Sequence, residues 1–177
     1  MLINMRTAHQ QPLTTIITDA SWCPNTHAGG WAAWVVNSGI RQKMSGELQK
    51  YVSSFDAECA AITNGFFLAH KTGLLVRKGK VIIQSDCTHA LEVLIDQGRT
   101  SNPAVSKMIA QLSEYHNLYK YEIESRHVKG HQDPSKDART FVNNWCDREA
   151  KRHMREMRKR FADKSNKPRV KELRNAN

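Results

Sequence analysis

Thr14-Thr15-Ile16-Ile17-Thr18-Asp19-Ala20 (TTIITDA) decides the architecture. The stretch is β-rich and follows Pro12, so it reads as a strand. It also places a carboxylate among apolar neighbours, where an ionised group is costly unless something compensates it. A second apolar run, Gly30 to Asn37 (GWAAWVVN), follows Gly29, and Ile40 to Leu48 pairs with it as a third strand through a turn at Ser38-Gly39. Ser53 and Ser54 are N-cap candidates for a helix through Glu58, Ala61, Ile62 and Phe66 to about His70. Lys80 to Ser85 (KVIIQS) is a short buried-type strand, and Thr88 to Ile95 a helix ending near Gly98. Pro103 opens another helix reaching about Tyr119, and Tyr121 to His127 alternates as a strand. A polar loop from Lys129 to about Thr140 precedes a last helix from about Phe141 to Phe161. The order is an antiparallel meander followed by β–α–β alternation, which implies an α/β protein with one mixed sheet and helices packed on it.

Composition bounds what such a chain can be. Its 177 residues suit one compact domain, which buries roughly 70% of its unfolded surface. We divide it into an N-terminal extension (1–12), a main folded domain (13–162) and a basic, disordered tail (163–177). There is no apolar run long enough to span a membrane, no secretory h-region and no internal repeat. None of the four cysteines forms a C-x-x-C pair, which argues against structural zinc and for free thiols in a reducing, cytoplasmic setting. The net charge of +10 is unevenly placed: residues 151–177 hold 11 Lys/Arg against three Asp/Glu, and residues 1–150 hold 16 against 14. A basic element on a near-neutral domain points to a polyanion, here a nucleic acid backbone; a solubilising tail is the plainer alternative. Lys151, Arg152, Arg155, Arg158 and Lys159 lie largely off the apolar stripe of Trp145, Ala150, Met154, Met157 and Phe161, so the last helix presents a cationic face.

Four acids stand at element ends: Asp19 in the first strand, Glu58 early in the first helix, Asp86 at the end of the fourth strand and Asp147 early in the last helix. Taken singly each has a local explanation, and Glu58 suits the positive end of a helix dipole. If the strands of Asp19 and Asp86 are neighbours, the two acids converge, and repulsion raises one pKa unless a divalent cation binds. Hard oxygen ligands of this kind suit Mg²⁺ or Mn²⁺.

The segments that carry these acids resemble the type 1 ribonuclease H family. Thr18-Asp19-Ala20-Ser21 is similar to T-D-G-S, Ala57-Glu58 to the x-E that starts the first helix, and Gln84-Ser85-Asp86 to the T-D-S after strand four. Val128-Lys129-Gly130-His131 is similar to the V-K-G-H loop, and Asn143-Asn144-Trp145-Cys146-Asp147 to the motif that opens the last helix. Each match alone is weak; the five fall in family order across about residues 13 to 160. The resemblance implies a ribonuclease H-like fold: a five-stranded sheet, antiparallel through strands one to three and parallel through four and five, with helices on both faces.

It further implies that Asp19, Glu58, Asp86 and Asp147 hold two Mg²⁺ ions, with Mn²⁺ as a substitute, and that His131 moves protons or aids product release. The implied reaction is endonucleolytic cutting of the RNA strand of an RNA–DNA hybrid, leaving 5′-phosphate and 3′-hydroxyl ends. Ser21, Asn25, Ser53, Ser54 and Asn143 are the implied hybrid contacts, joined by Lys151, Arg152 and Arg155 of the basic helix. A monomer with no membrane partner is expected.

Departures include Ala20 for glycine, Phe55 for a usually polar residue, and a long His131–Asp147 interval containing Asp133, Asp137 and Arg139. The alternatives are a ribonuclease H-fold nuclease acting on another structured nucleic acid, or a non-catalytic binding module. The V-K-G-H loop argues against the first, and the intact acidic set against the second. His127 reads as a solvated strand-end histidine rather than as a metal partner of His131. Trp31 and Trp34 are expected in the sheet, Trp22 at the surface, and the cysteines as packing beneath the site.

Overall fold

The computed structural model describes residues 11–128 and 137–165. The elements run β1 (Leu13–Trp22), β2 (Gly29–Asn37), β3 (Ile40–Leu48), α1 (Ser54–Lys71), β4 (Lys80–Ser85), α2 (Thr88–Leu91) continuing as a π-helical segment (Glu92–Gln97), α3 (Pro103–Tyr119), β5 (Glu122–His127) and α4 (Ala138–Ser165). The sheet order is β3-β2-β1-β4-β5, with β1–β2 and β2–β3 antiparallel and β1–β4 and β4–β5 parallel. This is the five-stranded mixed sheet the sequence pattern implies.

Strand alternation splits the core. Ile16 and Thr18 of β1 face Gly65 of α1, whereas Ile17 faces α4, where Cys146 Sγ meets its carbonyl oxygen at 3.6 Å. The larger core gathers Ile16, Ile62, Phe66, Val81, Ile83 and Val105 between the sheet and α1 and α3. Each such side chain contributes about 1.5–3 kcal/mol when fully buried. The α4 face is thinner, built on Ile17, Ala32 and Cys146, with Trp34, Val142 and Trp145 packed against them.

Local chemistry sets the helix starts. Ser53, extended at φ −148°, caps α1 by accepting a hydrogen bond from Asp56 N–H at 3.1 Å. Asn102 caps α3: its Oδ1 accepts from the N–H groups of Ala104 (3.0 Å) and Val105 (3.4 Å), with Pro103 next in the chain. Its Nδ2 also donates to Asp56 Oδ1 at 2.9 Å, tying the start of α3 to that of α1.

One helix changes type, and both ends of the last helix shift. The helix after Asp86 turns π-helical from Glu92 before Gly98 stops it in the left-handed region at φ 63°. α4 starts at Ala138 rather than Phe141, because Asp137 Oδ1 accepts from Thr140 N–H at 2.7 Å. It also runs to Ser165, past the Ala162 boundary drawn for the disordered tail. Phe161, assigned to the apolar stripe, is 37% exposed, while Cys146, Ala150 and Met157 are buried. The N-terminal extension up to Gln10 and the tail beyond Ser165 lie outside the described residues.

Helix α4 is seated on β2 without an intervening side chain. A Cβ on Gly30 would run into the Ala150 carbonyl oxygen, and it would stand 2.7 Å from Met154 N and 2.8 Å from His153 Cβ. Helix backbone cannot swing aside as a flexible side chain can, so Gly30→Ala forces α4, and Asp147 with it, off the sheet. We predict a destabilisation of about 1–3 kcal/mol, the usual scale of overpacking, with lower activity. Urea denaturation checks it; an unchanged midpoint would show that α4 can lift without cost.

Candidate active site

Pairing of β1 with β4 ends at Ile17 opposite Gln84; β4 stops at Ser85 while β1 continues to Trp22. The two strands part there, and Asp19 lies on the unaccompanied length of β1. Asp86 follows the last residue of β4, and Glu58 comes in on the second turn of α1. Ligand oxygens of Asp19, Glu58 and Asp86 lie within 4.8 Å of one another. Asp19 is 5% exposed, and its Oδ1 accepts a hydrogen bond from Ala20 N–H at 2.8 Å.

The electrostatics are those of a site short of positive charge. Burial, then repulsion from Asp86 and Asp147, pushes the Asp19 carboxyl up to about 8. Burial, with repulsion from Asp19 and Asp86, holds Glu58 well above the usual carboxylate range. Glu58 Oε2 is buried without a hydrogen-bond partner among the described residues. A buried, unpartnered carboxylate oxygen beside two further acids fits a hard divalent cation, which supplies both the charge and the missing ligand interaction.

Asp147, the fourth acid, is outside that tight trio. It sits on the sheet-facing side of α4, near enough to Asp19 to raise its pKa, and is held by Lys151 Nζ at 2.7 and 2.9 Å. The sequence reading assigns Lys151 to substrate; the structure gives it first to Asp147, one helical turn away. The i,i+4 spacing of the pair is the signal for this in the sequence.

The other expected hybrid contacts divide. Ser54 is exposed at the mouth of a pocket of about 400 Å³ that Phe55, Glu58, Asp86, Cys87 and His89 complete. Asn25 is exposed in the β1–β2 turn, and Ser21 is partly buried near the end of β1. Ser53 has its Oγ engaged as the α1 cap. Asn143 is 5% exposed, with Oδ1 buried and unpartnered among the described residues, because it falls on the inner side of α4. Arg152 is exposed but bonded to Glu149 and Glu156, and Arg155 is exposed. His131, with Asp133, lies outside the described residues.

Two features are not legible in the sequence. His127 Nε2 lies 3.1 Å from the Asp86 carbonyl oxygen, linking the end of β5 to the backbone of a site acid. Phe55 and His89 stack across the pocket beside Glu58 and Asp86. Of the cysteines flanking the acids, Cys59 and Cys146 are buried and Cys87 partly so; burial pushes the Cys59 thiol up to about 12, so it is inert packing. Trp31 is buried and Trp34 packs against Trp145 edge-on at 5.3 Å, while Trp22 is half-buried with its indole N–H donated to Tyr51 O at 3.2 Å.

The RNase H family model matches residues 11–155, and the protein belongs to that family, as a ribonuclease H hydrolase. No curated protein matches the sequence. Solved structures share the fold at low identity. The N-terminal RNase H domain of rv2228c from Mycobacterium tuberculosis is 16% identical, with a TM-score of 0.66, covering 84% of this chain and 98% of that one. RNase H1 of the halophilic archaeon Halobacterium salinarum NRC-1 is 14% identical, with a TM-score of 0.63, covering 81% and 98%. LC11-RNase H1, solved in complex with an RNA/DNA hybrid, is 12% identical, with a TM-score of 0.64, covering 81% and 97%.

The raised Asp19 pKa makes stability depend on pH. Unfolded, the group ionises near 3.8; folded, it keeps its proton to about 8. The native state therefore binds the extra proton between those values. The stabilisation is full below about pH 4 and is lost as pH rises through about 8. In EDTA, the melting temperature should fall from pH 5 to pH 8.5 more steeply for the wild type than for Asp19→Asn, and Mg²⁺ should offset the fall. Equal slopes for the two proteins would mean that Asp19 ionises in the fold as it does in water.

Proposed function

We propose that this protein hydrolyses the RNA strand of RNA–DNA hybrids endonucleolytically, leaving 5′-phosphate and 3′-hydroxyl ends. The observation that carries the reading is the convergence of Asp19, Glu58 and Asp86, with a buried Glu58 oxygen that has no partner among the described residues. Family membership supports the reaction class, and the hybrid held by LC11-RNase H1 supports the substrate.

Asp19, Glu58 and Asp86, joined by Asp147, would hold two Mg²⁺ or Mn²⁺ ions. When bound, such a pair supplies a water of lowered pKa and charge compensation at the departing 3′ oxygen. The chain's own residues do the rest. The buried floor at Asp19 excludes bulk water, and the Ala20 N–H orients its carboxylate. Lys151 holds the Asp147 carboxylate in an ion pair, which a bound cation would compete for. His131, on the V-K-G-H segment, is the residue for proton movement or product release, because an imidazole titrates near neutrality. Ser54, at the pocket of Glu58 and Asp86, with Ser21 and Asn25, would touch the sugar–phosphate backbone, which gives grip without base specificity. The 2′-hydroxyl is what separates RNA from DNA at such a site.

The deciding assay is cleavage of an end-labelled RNA–DNA hybrid in Mg²⁺ or Mn²⁺, beside matched DNA and RNA duplexes and branched DNA. Cutting of the hybrid's RNA strand alone is expected. Asp86→Asn should lower it more than about 100-fold, since outer-shell partners of metal ligands alone are worth up to that much. Cutting of branched DNA with the hybrid intact would transfer the fold to another substrate.

The basic end of the chain is proposed to hold the duplex backbone. Truncation after Phe161 should weaken hybrid binding. It should also flatten the dependence of log Kd on log salt by about 0.9 for each phosphate that the shortened chain no longer neutralises. Fluorescence anisotropy across a salt series measures this, and identical slopes would assign the tail a solubilising role.

A further inference from the structure

The two elements that deliver Glu58 and Asp86 also deliver a pair of rings. Phe55 lies three residues before Glu58 in the first turn of α1, and His89 lies three residues after Asp86 at the start of α2. Their centroids are 4.7 Å apart with 31° between the planes, and both line the pocket that Glu58 and Asp86 close. Phe55 is half-buried and packs against the core, whereas the His89 side chain is 68% exposed. Its ion-pair partner Glu92 stands at 3.8 Å, beyond hydrogen-bond range, with both side chains largely exposed. The outer ring is thus held by stacking over solvent rather than locked into a polar network.

We propose that the stacked Phe55–His89 pair is a minor-groove wedge that selects the nucleotide step at which the hybrid is cut. This rests on the hybrid-cleavage reading above. A scissile phosphate brought to the three carboxylates places the next nucleotides of the duplex, spaced ~3.4 Å along the axis, against the rings. A hybrid leaning toward A-form presents a wide, shallow minor groove there. The Phe55 ring offers that groove no hydrogen-bond pattern to read bases with, and His89 adds only its two ring nitrogens. Apolar side chains entering a minor groove instead press between base steps and open them partially. The cost of opening depends on the step and is lowest at pyrimidine–purine steps. Rings so placed convert duplex deformability into a preference for where the cut falls, at a fixed offset from the deformable step.

The test maps cut positions along an end-labelled hybrid of mixed sequence, with steady-state kinetics on one preferred and one poor site. Wild type should cut unevenly, its preferred sites sharing a pyrimidine–purine step at constant offset. Phe55→Ala and His89→Ala should even out the pattern and raise KM about fivefold at the preferred site, the scale of a single aromatic interaction. kcat should move much less, and Phe55→Trp should restore the pattern. Because His89 is at the surface, His89→Ala keeps the test decisive if Phe55→Ala folds poorly. Hybrid cutting by the wild type that is unchanged in pattern and KM by His89→Ala overturns the wedge alone. A wild type that cuts no hybrid overturns the reading on which it rests, and the wedge with it.

Discussion

A carboxylate held 5% exposed on the central strand is the constraint that the rest of this molecule answers to. Asp19 stands where β4 has already ended, so the sheet itself makes the opening in which the acid sits. α1 then adds Glu58, the end of β4 adds Asp86, and α4 adds Asp147 from the other face. Packing of this kind concentrates negative charge in a place of low polarisability, which a folded chain accepts only in the neutral form or with cations. The raised pKa values of Asp19 and Glu58 are the neutral-form answer. Lys151 at Asp147 is a partial ionic one.

The same convergence explains what can be read from sequence. An acid inside TTIITDA and another closing KVIIQS are visible because their neighbours demand burial. β3, β4 and α3 fall where the turn at Ser38-Gly39, the apolar run and Pro103 put them. What stays hidden depends on helix phase or on residues distant in sequence. Asn143 is buried because of how α4 is rotated against the sheet, which its own neighbours in sequence do not announce. Thr140 and Asp137 start α4 early through a side-chain cap inside a stretch that reads as polar loop. The π-helical turn after Leu91 has no residue pattern that announces it. The ring pair joins residues 34 positions apart, Phe55 and His89, so only the fold brings it into view.

The basic helix is less uniformly available than its composition suggests. Arg152 is bonded to Glu149 and Glu156, and Arg160 pairs with Glu47 of β3. Surface pairs such as these are worth at most about 1 kcal/mol and exchange readily with phosphate. They hold the side chains in an ordered row meanwhile. Arg155, Arg158 and Lys159 remain exposed along the same helix, beyond the end that carries Asp147. The helix thus carries an acid for the site at one end and exposed cations further on.

Two glycines set how freely such a protein can change. At Gly65 a methyl group would meet Ile16 Cγ2 at 2.7 Å and Thr18 Cγ2 at 2.8 Å, and at Gly30 it would meet the backbone of α4. One glycine seats a helix on each face of the strand pair that carries Asp19. Neutral drift is closed at these two points, because no larger side chain fits while both helices stay seated. Most exposed positions of the helices and edge strands carry no such restriction. A lineage can therefore rewrite much of its surface while the helix-to-sheet spacing at the acids stays where it was. Divergence accumulates around a fixed gauge, and for this fold the gauge is the absence of a side chain.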